Sequence, residues 1–238
     1  MNYSKRIALR VGFAALAVAV MGTCLAMGAR ADDIAASFST ASNPNGAWSY
    51  GSFVESTKTF MLLTTSSTEC GLPYWTDPGG FPVVLANNTG SPQSCGSTWT
   101  LPTDTLNLHP TNTSGLDADV RWTAPASGTY LISGSYSALD STTTFDSILL
   151  NGASVFSTNI NSSNTSSPFG LTETLTAGST IDFIVNCCSG SDQDYFNDST
   201  GLKGTIDLST TATPEPSTLL LALSTSALLF PLIRHRLS

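Results

Sequence analysis

The sequence predicts an all-β fold, an antiparallel β-sandwich of jelly-roll-like form. Three observations carry this. No segment of residues 32–212 sustains the 3.6-residue apolar periodicity of a helix. The same stretch is rich in Ser, Thr, Asn and Gly, which disfavour helices and suit strands and turns. Ten or so short strand-like runs are separated by Gly, Pro and Asn turn signals.

The elements follow in order. Ala47 to Phe53 alternates aromatics and places Trp48 and Tyr50 on one face. Thr59 to Thr64 is a short apolar run. Residues 71–103 read as loop-rich because Pro73, Pro78, Gly79, Gly80, Pro82, Pro92 and Pro102 interrupt them. Val83 to Ala86 reads as a strand inside that stretch, and Thr105 to His109 as the next one. Asp119 to Thr123 is a strand, 125–128 (Pro-Ala-Ser-Gly) a turn, and Thr129 to Ser137 a strand with Tyr130, Ile132 and Tyr136 on one face. Phe145 to Leu150 runs into Asn151-Gly152, a strong hairpin signal, and Ser154 to Ile160 returns. Leu171 to Leu175, a turn at 177–179, Thr180 to Asn186 and Gly204 to Leu208 complete the set.

Both ends of the chain read as processing signals. Lys5, Arg6 and Arg10 precede the apolar run Val11 to Met27, and Ala29-Arg30-Ala31 is a small-x-small cleavage site. Residues 1–31 are therefore expected to be a secretory signal peptide, with Asp32 the first residue of the mature chain. Met21-Gly22-Thr23 is a poor approach to a lipidated cysteine, so Cys24 leaves with the signal.

At the other end, residues 213–238 carry Pro214-Glu215-Pro216-Ser217-Thr218, the apolar segment Leu219 to Ile233, and then Arg234, His235 and Arg236. Pro214 and Pro216 keep the motif extended. The apolar segment is 15 residues long, shorter than the roughly 20 a spanning helix needs. Pro231 and the polar residues 224–226 suit a transient anchor. The two arginines would hold the tip in the cytoplasm and leave the domain outside.

This tripartite tail resembles the PEP-CTERM sorting signal of Gram-negative bacteria. The resemblance implies an exosortase-like partner that recognises the Pro-Glu-Pro motif. It also implies a hydrophobic sorting helix held transiently in the inner membrane, and an exported product at the cell envelope, on the surface or in the medium. Trp122-Thr123-Ala124-Pro125, with Gly128 and Tyr130, resembles a strand pair of secreted jelly-roll modules. The stretch Asn43-Pro44-Asn45-Gly46-Ala47-Trp48-Ser49-Tyr50-Gly51 resembles the opening of other exported proteins with this tail. These features are similar to those of carbohydrate-binding jelly rolls, which often carry structural calcium.

Residues 32–212 form one domain by size. Between the two end segments the basic residues are Lys58, Arg121 and Lys203, against sixteen acidic ones. So acidic a domain excludes nucleic acid as a partner, because phosphate contacts need clustered Lys and Arg. It disfavours anionic polymers and favours cations.

Four cysteines remain: Cys70, Cys95, Cys187 and Cys188. In an oxidising compartment they predict disulfides in one of three pairings. Cys70 with Cys95 is preferred as a staple across the irregular segment, while a Cys187–Cys188 bridge would be strained.

Asp192, Asp194 and Asp198 alternate oxygen ligands in a loop and are candidate calcium ligands, with Asp140 and Asp146 as possible contributors. Tyr74, Trp75 and Trp99 are candidates to stack on sugar rings, whereas Trp48 and Trp122 read as core. His109 is the one histidine of the domain and would have to serve any triad, but no nucleophile elbow accompanies it. Glu55, Glu69 and Glu173 show no spacing that marks a glycosidase pair.

The expectation is thus an exported, non-enzymatic surface or matrix protein. A module that binds exopolysaccharide is the alternative, and a secreted hydrolase a third.

Overall fold

The computed structural model describes residues 31–95, 99–111, 113, 115–187 and 195–209. The expected signal peptide, the sorting tail with Pro214 to Thr218, and Asp192, Asp194 and Cys188 lie outside the described residues.

Sixteen strands are described: β1 (Asp32–Asp33), β2 (Trp48–Val54), β3 (Thr59–Leu62), β4 (Thr65–Glu69), β5 (Leu72–Thr76), β6 (Val83–Asn87), β7 (Gln93–Cys95), β8 (Trp99–Leu101), β9 (Thr105–His109), β10 (Leu116–Thr123), β11 (Gly128–Ala138), β12 (Thr144–Leu150), β13 (Ala153–Ile160), β14 (Ser166–Leu175), β15 (Thr180–Asn186) and β16 (Thr200–Leu208). They build an antiparallel sandwich. One sheet has the order β14-β11-β16-β9-β6-β5-β4, with β1 added beside β16. The other has the order β13-β12-β15-β10-β2-β3, and β7-β8 is a separate hairpin. From β10 onward the chain crosses between the sheets at each step except the β12-β13 hairpin, which stays within the six-stranded sheet.

Side-chain alternation decides what each sheet buries. On β10, Ala118, Val120 and Trp122 enter the core between the sheets, while Asp117, Asp119 and Arg121 fall on the outer side. Ile181, Phe183 and Val185 of β15 and Trp48 and Tyr50 of β2 join them. The opposing sheet supplies Val84, Leu106, Leu108, Ile132, Tyr136, Phe169, Leu202 and Ile206. Trp122 meets Tyr130 edge-on at 5.0 Å, and Phe169 meets Phe183 at 5.9 Å. Trp48 and Trp122 are core residues, as expected.

The start of the domain is pinned by polar groups. Asn43 donates to Tyr50 O (2.6 Å) and Leu63 O (2.9 Å), and accepts from Tyr50 N (2.9 Å). Trp122 Nε1 donates to Asp32 Oδ2 at 3.0 Å. The strand pairs Asp32 with Ile206 and Asp33 with Thr205.

Residues 71–103 are a correction to the loop reading, since they hold β5, β6, β7 and β8. Their prolines flank strands or sit where the ladder tolerates them. Pro73 lies in β5 opposite Thr68 of the edge strand β4. The turn between β4 and β5 places Cys70 and Gly71 at φ 51° and 79°. Both values are positive, as the tightest hairpin turn requires. Asn151 and Gly152, at 49° and 82°, make the hairpin turn expected of them.

Candidate functional site

The outer side of the eight-stranded sheet is partly covered, and the uncovered part is a cleft. Leu72, Val83 and Leu85 face outward here, because Trp75, Val84 and Ala86 take the inward positions. The β7-β8 hairpin lies over them through Leu101 and Trp99. A disulfide joins Cys70, at the β4-β5 turn, to Cys95 at the end of β7, so the hairpin is tied to the sheet it covers. Cys187 is also disulfide-bonded.

Beside the hairpin is a cavity of about 280 Å³, close to the lower end of ligand-pocket sizes. Tyr74, Val83, Asn107 and His109 project from strands to form its floor. Trp99 comes from the hairpin, Phe81 from the β5-β6 loop, and Glu69 from the end of β4. Asp140, Asn197 and Ser199 close the remaining side.

One side of the cleft is a cluster of rings. Phe81 lies 5.1 Å from the His109 ring and 5.5 Å from Tyr195, and Tyr195 lies 4.6 Å from the exposed Phe196. Three aromatic rings, Tyr74, Phe81 and Trp99, and a histidine therefore border one cleft, with Tyr195 packed behind Phe81 and His109, alongside amide, hydroxyl and carboxyl groups.

Its electrostatics are one-sided, because among the described residues no Lys or Arg lines the cleft. Burial lowers the His109 pKa, against smaller opposing pulls from Pro110 O, Asp140 and Glu69. The ring is therefore neutral at pH 7. Nδ1 lies 2.9 Å from Pro110 O, which assigns the proton to Nδ1 and leaves Nε2 as the acceptor. Burial raises the Asp140 pKa, with the Thr142 hydroxyl, which donates at 3.0 Å, as the main opposing influence. Among the described residues no hydroxyl is hydrogen-bonded to His109, so no Ser–His pair forms. Glu55 and Glu173 lie away from this cleft.

Two of the three aromatic candidates come together here and one does not. Tyr74 and Trp99 line the cleft. Trp75 is 7% exposed and belongs to the inner core, with Nε1 donating to Ser39 O at 2.8 Å. Its assignment to sugar stacking is corrected: adjacent strand residues face opposite sides, so Tyr74 and Trp75 cannot share one surface. Phe81, His109 and Tyr195 are additions the sequence did not single out for stacking. Phe81 beside Pro82 in a Gly-Gly loop was the available signal.

The calcium candidates divide differently. Asp198 is fully buried, and its Oδ1 accepts from Thr143 N (2.8 Å) and Thr143 Oγ1 (3.2 Å). Asp146 is also fully buried, and burial pushes its pKa well up, with the nearby Thr144 hydroxyl opposing and the Asp198 charge adding. The Thr144 hydroxyl is shared with Thr200, and among the described residues neither Asp146 oxygen has a donor within hydrogen-bonding distance. Asp140 belongs to the cleft instead. Two carboxylates fall short of the six to eight oxygens calcium takes, so the described residues do not by themselves complete a calcium site.

No family model and no curated protein matches the chain. Among solved structures it is similar to a family 35 carbohydrate binding module from Clostridium thermocellum. That match has 17% identity, covers 50% of this chain and 87% of that one, and has a TM-score of 0.31. It is similar also to the CBM36-1 domain of a multidomain xylanase from the hindgut metagenome of Trinervitermes trinervoides (10% identity, 55% and 98% covered, TM-score 0.33). Rabbit GITRL matches at a comparable level (18% identity, 40% and 74% covered, TM-score 0.27). At these scores the likeness carries no function to this chain.

Proposed function

We propose that this domain is a non-catalytic glycan-binding module of an exported protein that works in the cell-surface or exopolysaccharide matrix. The observation that carries the reading is the cleft itself. Tyr74, Trp99 and Phe81 offer ring faces beside Asn107, His109, Asp140 and Glu69, and most of these side chains stand on strands. Flat apolar faces flanked by convergent hydrogen-bonding groups suit a sugar, whose ring faces are apolar and whose rim is hydroxylated. With two carboxylates and no cation at the cleft, the ligand is a neutral or amino-bearing saccharide and not a uronate polymer.

Calorimetric titration with neutral, amino-bearing and uronate oligosaccharides tests this. Binding of the first two classes, with one bound ligand fewer in Trp99→Ala, supports the reading. An unchanged stoichiometry and affinity in Trp99→Ala, or a preference for uronates, sinks it.

The export half of the proposal rests on the sequence. The signal peptide delivers the chain, and an exosortase-like enzyme acts at Pro214 to Thr218. Intact mass of the protein from its host, separated into membrane and medium, checks this. A product from Asp32 to near Thr218 is expected. A membrane product that retains Leu219 to Ser238 would leave only a plain anchor.

A hydrolase reading has one observation of its own: Glu69 and Asp140 border the same cleft as His109. It requires release of reducing ends from a bound glycan, abolished by Asp140→Asn.

A further inference from the structure

The opposite face of the sandwich carries a second concave site. On the outer side of the six-stranded sheet, Phe53, Leu149 and Ile184 form a small apolar cluster of their own. Strand register lines up the side chains around it. Phe145 of β12 pairs with Asn186 of β15, Asp117 of β10 with Phe53 of β2, and Phe53 with Phe60 of β3. Neighbouring strands are about 4.8 Å apart. The row therefore sets an amide and a carboxyl side by side, between aromatic residues roughly 14 Å apart across three strand spacings.

Ser147 and Ser154 add hydroxyls, and the whole encloses a cavity of about 180 Å³. That is smaller than the usual range for ligand pockets, so it has room for one ring and not for a chain segment.

The chemistry of the rim is specific. Phe145 is 39% exposed, a large apolar ring left in solvent beside polar groups. Asn186 uses one N–H on Glu55 Oε1 at 2.6 Å, which orients the amide. Lys58 Nζ stands 5.6 Å from the centre of the Phe53 ring and bounds the far end. Burial, with the Glu55 charge adding and Lys58 opposing, raises the Asp117 pKa to about 8. Its carboxyl is therefore mostly protonated at pH 7, and can donate as well as accept. The floor thus supplies a donor and acceptor pair with little net charge, next to an exposed ring face.

We infer that this outer face holds a second saccharide subsite, centred on Phe145 and lined by Asp117, Ser147 and Asn186, and that the domain is bivalent. The inference rests on the glycan-binding reading of the first cleft. The two sites lie on opposite outer faces of the sandwich, so one ligand chain cannot lie along both without wrapping the domain. Each copy would instead bridge two glycan strands, which is a cross-linking function and not mere retention.

The test is calorimetry with cello-, xylo- and chito-tetraose on the wild-type domain, Phe145→Ala, Trp99→Ala and the double variant. Turbidity of the corresponding long polysaccharide is followed alongside. The expected result is two ligands per wild-type domain, one per single variant and none for the double, with turbidity raised by the wild type alone. A single wild-type site that survives Phe145→Ala and is lost in Trp99→Ala overturns the second subsite and leaves the first cleft standing. A single site with the reverse pattern overturns the first cleft and the bivalence together. No binding by the wild type across the panel overturns both. Phe145 is at the surface, so circular dichroism of its variant is expected to match the wild type.

Discussion

Tyr74 and Trp75 are chain neighbours whose side chains lie on opposite sides of one sheet. Tyr74 borders the cleft, while Trp75 donates its indole N–H to Ser39 O inside the core. The two substitutions should therefore separate binding from stability. Trp75→Ala is expected to cost about 3–5 kcal/mol, the usual range for a large buried aromatic, read as a lowered denaturation midpoint. Tyr74→Ala, which uncovers part of the Leu72–Leu101 cluster, is expected to lower that midpoint much less than Trp75→Ala and to weaken glycan binding about tenfold, by calorimetry. That factor corresponds to ~1.4 kcal/mol.

The Cys70–Cys95 bridge closes a 25-residue separation. By chain entropy it stabilises the fold by about 3 kcal/mol. It also holds the hairpin that carries Trp99. Cys70→Ser with Cys95→Ser is expected to lower stability by that order and to weaken ligand binding in the same protein. Unchanged affinity in a variant shown to be folded would remove the hairpin from the site.

Buried carboxyls give this domain an unusual pH response. Burial raises the Asp117 pKa from 3.8 to about 8, and raises those of Asp119 and Asp146 well above 3.8. Between 3.8 and the raised values the native state holds more protons than the unfolded chain. The stability from these groups is therefore full below 3.8 and is lost as pH rises, for Asp117 through about 8. His109, with a lowered pKa, has the opposite sign but is a single group: its contribution falls as pH drops below 6.5. Melting temperature is expected to fall from pH 5 to pH 8, and Asp119→Asn to flatten that slope. A melting temperature that rises over the same interval would contradict the assignment.

Gly134 of β11 faces Gly204 of β16. A Cβ at Gly134 would lie 2.1 Å from Lys203 O and 2.8 Å from the Gly204 Cα, and backbone cannot swing aside as a flexible side chain can. Gly134→Ala is expected to cost at least about 2 kcal/mol, measured by denaturant unfolding. Gly170→Ala, where nothing lies within 4 Å of the added carbon, is the matched control.

Much of the fold could be read from alternation, and the site only in part. β10 and β11 announce themselves because Val120 and Trp122, or Ile132 and Tyr136, recur at period two with polar residues between. β4, β7 and β8 do not. Thr65–Glu69 is exposed throughout, and Gln93–Cys95 carries no apolar alternation, so pairing with neighbours and not burial makes them strands. The cleft depends on three segments far apart in the chain, around Tyr74, Trp99 and His109. Their convergence comes from sheet order, which leaves no local trace, and from the Cys70–Cys95 bridge, which the cysteines did suggest but without showing what it brings together. The second face was hidden for a different reason: Phe53 and Phe145 have the opposite parity to the core residues Trp48, Tyr50 and Ile148, which places them outward, but nothing local shows that they gather around one concavity.

Strand β16 has a mechanical consequence. From Thr200 to Leu208 it is laddered to β11, with β9 along its first residues and β1 at its far end. A pull on the chain beyond Leu208, directed along the strand, loads the β11 ladder in shear, with many hydrogen bonds resisting together instead of opening one by one. The end being pulled is also the end clasped by Asp32 and Asp33. Tension applied between the two ends of the domain therefore runs through a few residues of one strand, and the Tyr74 and Phe145 faces stay out of the force path.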